Sequence, residues 1–188
     1  MQYRKAIASD FPHLIALQNE NLVTLLSEEE KSDGFLSASF SEEQFAKFNE
    51  NLAVIVAVDE ANEDKLLAFL VTSTVESNLA YPLPAAMIAR YPLITFEERS
   101  IDSYKSFVSG PVCVAKSERG KGIFEGLYHA LPSLLPSDYE LAVALVSTSN
   151  PRSLRAHEKV GMQRVDQFEF ASREFVTVVK ILKNTKRA

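Results

Sequence analysis

The stretch VCVAKSERGKGIFEGLY, Val112 to Tyr128, decides how this chain is read. An apolar, β-branched run leads into a loop that holds Gly120 and Gly122 among Lys116, Arg119 and Lys121, and then into a segment with helical spacing. A strand that ends in a glycine turn and feeds a helix builds an anion site. The turn exposes backbone N–H groups, and the helix N-terminus adds partial positive charge. Glycine permits close backbone approach, and the cations add full charge. Two phosphate motifs fail here. A P-loop needs glycine five residues before Gly120 and serine or threonine after Lys121, where this chain has Ala115 and Gly122. A dinucleotide fingerprint needs a third glycine where Glu125 stands, and the next strand lacks its terminal ribose acid. A pyrophosphate gripped by consecutive amides remains, beside a plain strand-to-helix turn.

A second stretch, NPRSLRAHEKVGM, places Asn150, Ser153, His157 and Gly161 at spacings of three, four and four. On a helix these stack on one face. Asn150 suits the N-cap, Pro151 the first helical position and Gly161 the C-terminal stop. Caps account for those three residues, and a surface helix would account for Ser153 and His157.

The remaining sequence bounds the answer. A length of 188 residues gives one domain with a sizeable core, and 46% apolar with 24% charged residues is an ordinary globular composition. The net charge is −5, and outside the glycine loop the basic residues cluster only at Lys183, Lys186 and Arg187. Nucleic acid is therefore not expected as a partner, since phosphate neutralisation needs a concentrated basic face. An acidic balance is mildly compatible with an amine substrate. The single cysteine, Cys113, allows neither an internal disulfide nor a thiolate metal centre, so no metal is expected. The opening MQYRKAIASDF lacks a signal-peptide core, and no run approaches the roughly 20 apolar residues of a membrane span. A cytoplasmic protein with no membrane partner is the expectation.

Along the chain, Gln2 to Ile7 has strand character. Ser9 or Asp10 offers a cap for a helix carrying Leu14, Leu17, Leu22, Leu25 and Leu26, broken at Ser32–Gly34. Ser41, followed by Glu42, Glu43 and Gln44, starts a second helix with Phe45 and Phe48. Leu52 to Asp59 and Lys65 to Thr74 read as a hairpin of buried strands. Residues Glu76 to Gly110, rich in proline and aromatics, read as an insertion with a short helix near Ala85 to Arg90. After Pro111 come the strand Val112 to Ala115, a helix to about Leu131, and the strand Glu140 to Val146. A helix over Pro151 to Val160 and two final strands joined at Ala171–Ser172 complete an α/β pattern with a mixed sheet.

Together the two quoted stretches resemble the GNAT superfamily of acetyl-CoA-dependent N-acetyltransferases. The family pattern R/Q-x-x-G-x-G/A matches at Arg119 and Gly122 and meets Phe124 at its last position. The pattern N-x-x-S/A-x-x-x-Y-x-x-x-G-F aligns with Asn150, Ser153, His157, Gly161 and Met162, with His157 in place of Tyr and Met162 in place of Phe. The opening YRKAIASDF is similar to the family's first strand and helix. The likeness covers most of the chain except Glu76 to Gly110.

It implies a single domain over residues 1–188, a mixed and mostly antiparallel sheet flanked by helices, with an insertion before the cofactor-binding strand. The implied reaction moves an acetyl group from acetyl-CoA to a primary amine, on a small molecule or a protein N-terminus, by direct attack. The backbone of Val112 and Val114 would pair with the pantetheine arm, and an N–H there would face the thioester oxygen. The amides of Arg119, Gly120, Lys121, Gly122, Ile123 and Phe124 would hold the pyrophosphate, and Asn150 would touch the pantetheine. His157 is the candidate acid for the leaving thiolate, directly if its pKa is raised or otherwise through water. Cys113, His13 and His129 are assigned to structure, and no general base stands out among Glu97, Glu98 and Tyr104. Members of the family are often homodimers, and the insertion falls where acceptor pockets are built. The alternatives are an acyl-CoA-binding regulatory module without turnover, which His157 in place of Tyr keeps open, and a nucleotide-binding regulator.

Overall fold

Uninterrupted apolar runs place the middle of a sheet, and the amphipathic segments between them cover its two faces. The computed structural model describes residues 1–31 and 34–182. In chain order it contains β1 (Gln2–Lys5), α1 (Phe11–Asn19), α2 (Glu28–Lys31), α3 (Glu42–Asn51), β2 (Ala53–Asp59), β3 (Asn62–Thr74), α4 (Val75–Asn78), α5 (Pro82–Ile88), β4 (Thr95–Phe96), β5 (Arg99–Ser100), β6 (Ser106–Val114), α6 (Ile123–Leu134), β7 (Leu141–Ser147), α7 (Pro151–Lys159), β8 (Gln163–Phe170) and β9 (Arg173–Ile181). Seven of the strands form one sheet in the order β1-β2-β3-β6-β7-β9-β8, and β4 and β5 make a separate small hairpin. Every neighbouring pair in the large sheet is antiparallel except β6 and β7. A mixed, mostly antiparallel sheet flanked by helices is what the sequence leads one to expect.

Alternation along the strands sorts the core into three parts. Ala68 and Leu70 of β3, Ala142 and Ala144 of β7, and Val176 and Val178 of β9 face α6 and α7, through Ile123, Leu127, Leu131 and Leu154. On the opposite face, Val54, Val56, Phe69 and Val71 meet Leu14 and Leu17 of α1 and Phe45 and Phe48 of α3. Farther along that face, Val108, Leu141, Val143, Phe175 and Val179 are covered by Met87, Tyr91, Ile94, Phe96, Ile101 and Tyr104. The segment between α4 and β6 is therefore a second lid beside the one made by α1 and α3.

Several boundaries differ from the sequence reading, two of them widely. β6 begins at Ser106, so Ser106 to Gly110 are sheet residues rather than insertion. The alternation is hidden there because two residues, Gly110 and Pro111, bulge out opposite Val71, where the pairing jumps from Leu70↔Val112 to Thr72↔Ser109. α1 also ends at Asn19, well short of Leu26. The Asn21 side chain donates to Leu17 O at 2.8 Å, and Leu22 bridges to Leu36 instead of continuing the helix. Leu25 is left 66% exposed, so its helical spacing is not a core signal. The break expected at Ser32–Gly34 and the basic cluster Lys183, Lys186 and Arg187 fall largely or wholly outside the described residues. Among the described residues no helix is long and apolar enough to cross a membrane.

The loop between α2 and α3 is tied down by one side chain. Buried Gln18 donates from Nε2 to Phe40 O at 3.0 Å and accepts from Phe40 N at 2.8 Å. Ser41 then caps α3 reciprocally with Gln44. Gln18→Leu would leave both Phe40 backbone groups unpaired in a half-buried place. We expect it to lower unfolding free energy by about 2–3 kcal/mol, read from urea unfolding midpoints; an unchanged midpoint would show that the clamp is dispensable.

Candidate functional site

β6 and β7 run side by side only through Ser106↔Leu141, Phe107↔Ala142 and Val108↔Val143, and then part. Beyond the parting, β6 is bonded to β3 alone. Ala115 N donates to Leu67 O at 2.9 Å, which makes Ala115 and Cys113 the ladder-bonded residues on that side. Antiparallel ladders alternate, so the N–H and C=O groups of Val112 and Val114 point the other way, into the seam. An open strand edge therefore lines a cleft between diverging strands.

The glycine loop closes one end of that cleft. Gly120 and Gly122 both take the left-handed conformation, φ 79°, where a side chain with a Cβ is strained. Gly122 caps α6, and Gly126 N is the first to bond back along the helix, to Gly122 O at 3.0 Å. The N–H groups of Ile123, Phe124 and Glu125 have no carbonyl within the helix to receive them. Consecutive amides in this arrangement form a concave nest for an anion. The third glycine of the stretch serves packing, since a Cβ on Gly126 would collide with the Tyr3 ring.

The loop cations are engaged within the chain. Arg119 donates from Nε to Val114 O at 3.3 Å and from Nη2 to Asn21 Oδ1 at 2.6 Å, so it pins the loop to the end of β6 and to the turn that follows α1. Lys121 pairs with Glu118 at 3.0 Å, and Lys116 pairs with Glu30 at 2.7 Å. The positive charge over the cleft comes instead from α7. Arg152, Arg155 and Lys159 sit at spacings of three and four and line the same cleft, whose volume is about 620 Å³. That spacing is legible in PRSLRAHEK, on a different face of the helix from Asn150 and His157.

Asn150 and His157 come together with the loop, although neither is idle. Asn150 Oδ1 accepts from Ser153 N at 3.1 Å, and Nδ2 donates to Phe35 O at 3.1 Å. The residue borders both the large cleft and a second chamber behind it. His157 is buried, with Nδ1 2.7 Å from Ser153 O, so Nδ1 carries the proton and Nε2 is the acceptor. Phe124 lies edge-on to it at 5.1 Å and Tyr128 at 5.9 Å. Phe124, in place of a small residue, thus turns inward and packs against the imidazole. Desolvation holds the His157 pKa down at about 4, below its ordinary 6.5. The raised pKa that direct proton donation from the resting imidazolium requires is opposite to what burial produces. Tyr128, fully buried, lies 3.3 Å from Ser109 Oγ, and its pKa is raised by desolvation. Cys113 is buried with its thiol pushed up to about 12 by desolvation, which removes it as a thiolate nucleophile.

The second chamber, about 320 Å³, lies between the two lids. Phe35, Leu36, Phe40, Phe48, Tyr81 and Leu83 wall it, with Val108 and Phe175 from the sheet and Ser73, Asn78, Ser109 and His157 among its polar groups. Val112, Asn150 and Ser153 border both spaces, so the two are continuous. Sequence reasoning missed Ser73, Asn78 and Ser109, because they enter from β3, α4 and the bulged β6 rather than from a motif.

No family model matches the chain, and no curated protein does. Solved structures do. A GNAT-superfamily phosphinothricin acetyltransferase from Sinorhizobium meliloti, in complex with AcCoA, aligns with a TM-score of 0.62 at 15% identity over 98% of this chain and 90% of its own. Ribosomal-protein-alanine N-acetyltransferase from Brucella melitensis aligns with a TM-score of 0.62 at 18% identity, covering 97% and 100%. A GNAT-family acetyltransferase from Streptococcus agalactiae gives 0.64 at 13% identity, covering 97% and 95%. The chain has the fold of the GNAT acetyltransferases.

Proposed function

We propose that this protein is an N-acetyltransferase that passes an acetyl group from acetyl-CoA to a primary amine. The observation that carries the reading is the seam. An open β6 edge at Val112 and Val114 leads straight into an amide nest at Gly120–Phe124, with a basic rim from α7. That sequence of surfaces suits an extended amide-bearing arm followed by a pyrophosphate. A nucleoside triphosphate would leave the strand edge unused. The Sinorhizobium neighbour, in complex with AcCoA, supports the same choice.

The donor supplies an activated thioester carbonyl; the rest is the chain's. A β6 N–H facing the seam would stabilise the charge that develops on the carbonyl oxygen as the amine attacks. Neutral His157, through Nε2, would take the proton that the attacking nitrogen must shed. It would then return that proton to the sulfur as the carbon–sulfur bond breaks, leaving amide and thiol. An imidazolium whose pKa lies near 4 is a far stronger acid than a thiol of pKa about 8.5, so the second transfer runs downhill. In this reading His157 is a carrier, uncharged before and after each turnover.

The test uses purified protein titrated separately with acetyl-CoA, CoA and ATP while thermal unfolding is followed. Acetyl-CoA at about a hundred times its Kd should add about 2.7 kcal/mol, or about 5–10 °C at this size. ATP should give no comparable shift, and an amine panel should then release CoA. A shift with ATP that matches acetyl-CoA would sink the proposal. A shift with acetyl-CoA but no release with any amine would leave the regulatory-module reading in its place.

A further inference from the structure

Among the described residues, no Asp, Glu, Lys or Arg lines the second chamber. That is unusual ground for an ammonium ion. A cation drawn from water into such a space loses hydration that no counter-charge repays. The walls are strongly aromatic. Phe40 meets Phe48 edge-on at 5.1 Å and Tyr81 at 6.5 Å, and Phe48 lies 6.1 Å from Tyr81. Leu83, Val108, Leu145 and Phe175 face them.

The chamber is nevertheless not featureless. Asn78 spends its Nδ2 protons on Ser73 Oγ at 2.7 Å and Thr74 O at 2.8 Å, and among the described residues its Oδ1 accepts no hydrogen bond. His157 Nδ1 is committed to Ser153 O, which leaves Nε2 as an uncharged acceptor, and both residues line the chamber. Two neutral acceptors in the lining of an aromatic box match a nitrogen that carries hydrogens to donate but no charge. A volume near 320 Å³ is at the small end of ligand sites and suits a small apolar body.

We propose that the second chamber takes an uncharged, mainly apolar amine, of the arylamine type, with the –NH2 group donating to one of these neutral acceptors. The proposal rests on the acyl-transfer reading for its chemistry and adds the class of acceptor. It excludes polyamines, amino acids and other acceptors that are charged at neutral pH as good ligands. It also accounts for the missing carboxylate base, because an amine that arrives neutral needs none.

The experiment compares 4-butylaniline with 4-phenylbutylamine, which are constitutional isomers. At pH 7.5 the first is neutral and the second is a cation. Binding of each to the full chain is measured by calorimetry with CoA present and again without it, alongside acetyl-CoA itself. The aniline should bind at least about tenfold more tightly than its isomer, since only the cation loses ionic hydration on entry. Ser37→Asp, at an exposed position on the chamber's rim, should narrow or reverse that preference. Tyr81→Glu is a second variant with the same expected direction. Equal or tighter binding of the cation, or binding of neither isomer, overturns the proposal. So does capture of a peptide with an apolar N-terminal residue in preference to the aniline. Because the isomers are also read without CoA, loss of acetyl-CoA binding alone would count against the acyl-transfer reading and leave the acceptor class standing.

Discussion

Gly122→Val should abolish acetyl-CoA binding at ordinary concentrations while leaving the protein folded. The wild-type φ of 79° lies where a β-branched residue is strained. The expected cost to stability is about 1–2 kcal/mol, because no atom lies within 4 Å of the new Cβ. The effect on the ligand is larger. Relaxing that strain rotates the amides at the start of α6 out of their shared focus, and an anion seated on those amides loses several hydrogen bonds together. We expect at least a hundredfold loss of affinity, or about 2.7 kcal/mol. At a concentration where wild type gains about 2.7 kcal/mol, the variant would gain only about 0.4. Gly161→Val is the control, since Gly161 has φ 83° and equally open surroundings at the far end of α7. It should carry a similar stability cost with the acetyl-CoA shift intact. An undiminished shift in Gly122→Val would mean that the anion binds elsewhere.

The second large effect concerns His157→Phe. An aromatic ring of similar size keeps the edge contacts with Phe124 and Tyr128 but deletes both ring nitrogens. If the imidazole carries the proton, kcat should fall by about 10²–10⁴ with little change in the KM for acetyl-CoA. A KM change at constant kcat would instead mark a positioning role. The same variant should also alter acid stability. In the folded protein His157 resists protonation until about pH 4, while in the unfolded chain it titrates near its ordinary 6.5. Between those values the unfolded chain binds a proton that the folded chain does not, so stability falls as pH drops through that window. The contribution present above 6.5 and lost by 4 is up to about 3 kcal/mol. His157→Phe should flatten that part of the stability curve. An unchanged slope between pH 6.5 and 4 would mean that the imidazole is not as dry as its surroundings suggest.

What the sequence made legible follows from the range of the forces involved. β2, β3, β7 and β9 are buried on both faces, so their apolar runs are continuous and unmistakable. Gly120, Gly122 and the Asn150 cap are fixed by local backbone geometry, and local geometry is written in adjacent residues. β6 was half concealed because its bulge breaks the period of two at Gly110–Pro111. Charge was harder still. Lys121 looks like a phosphate ligand until Glu118 is seen to hold it, a partner that spacing alone could have suggested. Arg119 meets Asn21, which is distant in sequence, and no local pattern announces that. The His157 environment is wholly tertiary. Its dryness comes from Phe124 and Tyr128 on another helix, so a polar helix face in the sequence becomes a buried acceptor in the fold.

The brief parallel pairing of β6 with β7 has a consequence for how the molecule holds together. Four strands lie on one side of that junction and three on the other, and only three register pairs join them through the backbone. Side chains do the rest of the joining, since a single core under α6 and α7 runs from Ala53 and Leu70 across to Ala142 and Val178. The two halves are thus welded by packing and barely laced by backbone hydrogen bonds. A donor lying along the free β6 edge would add lacing where the chain has left it out, so occupancy and the mechanical unity of the fold rise together.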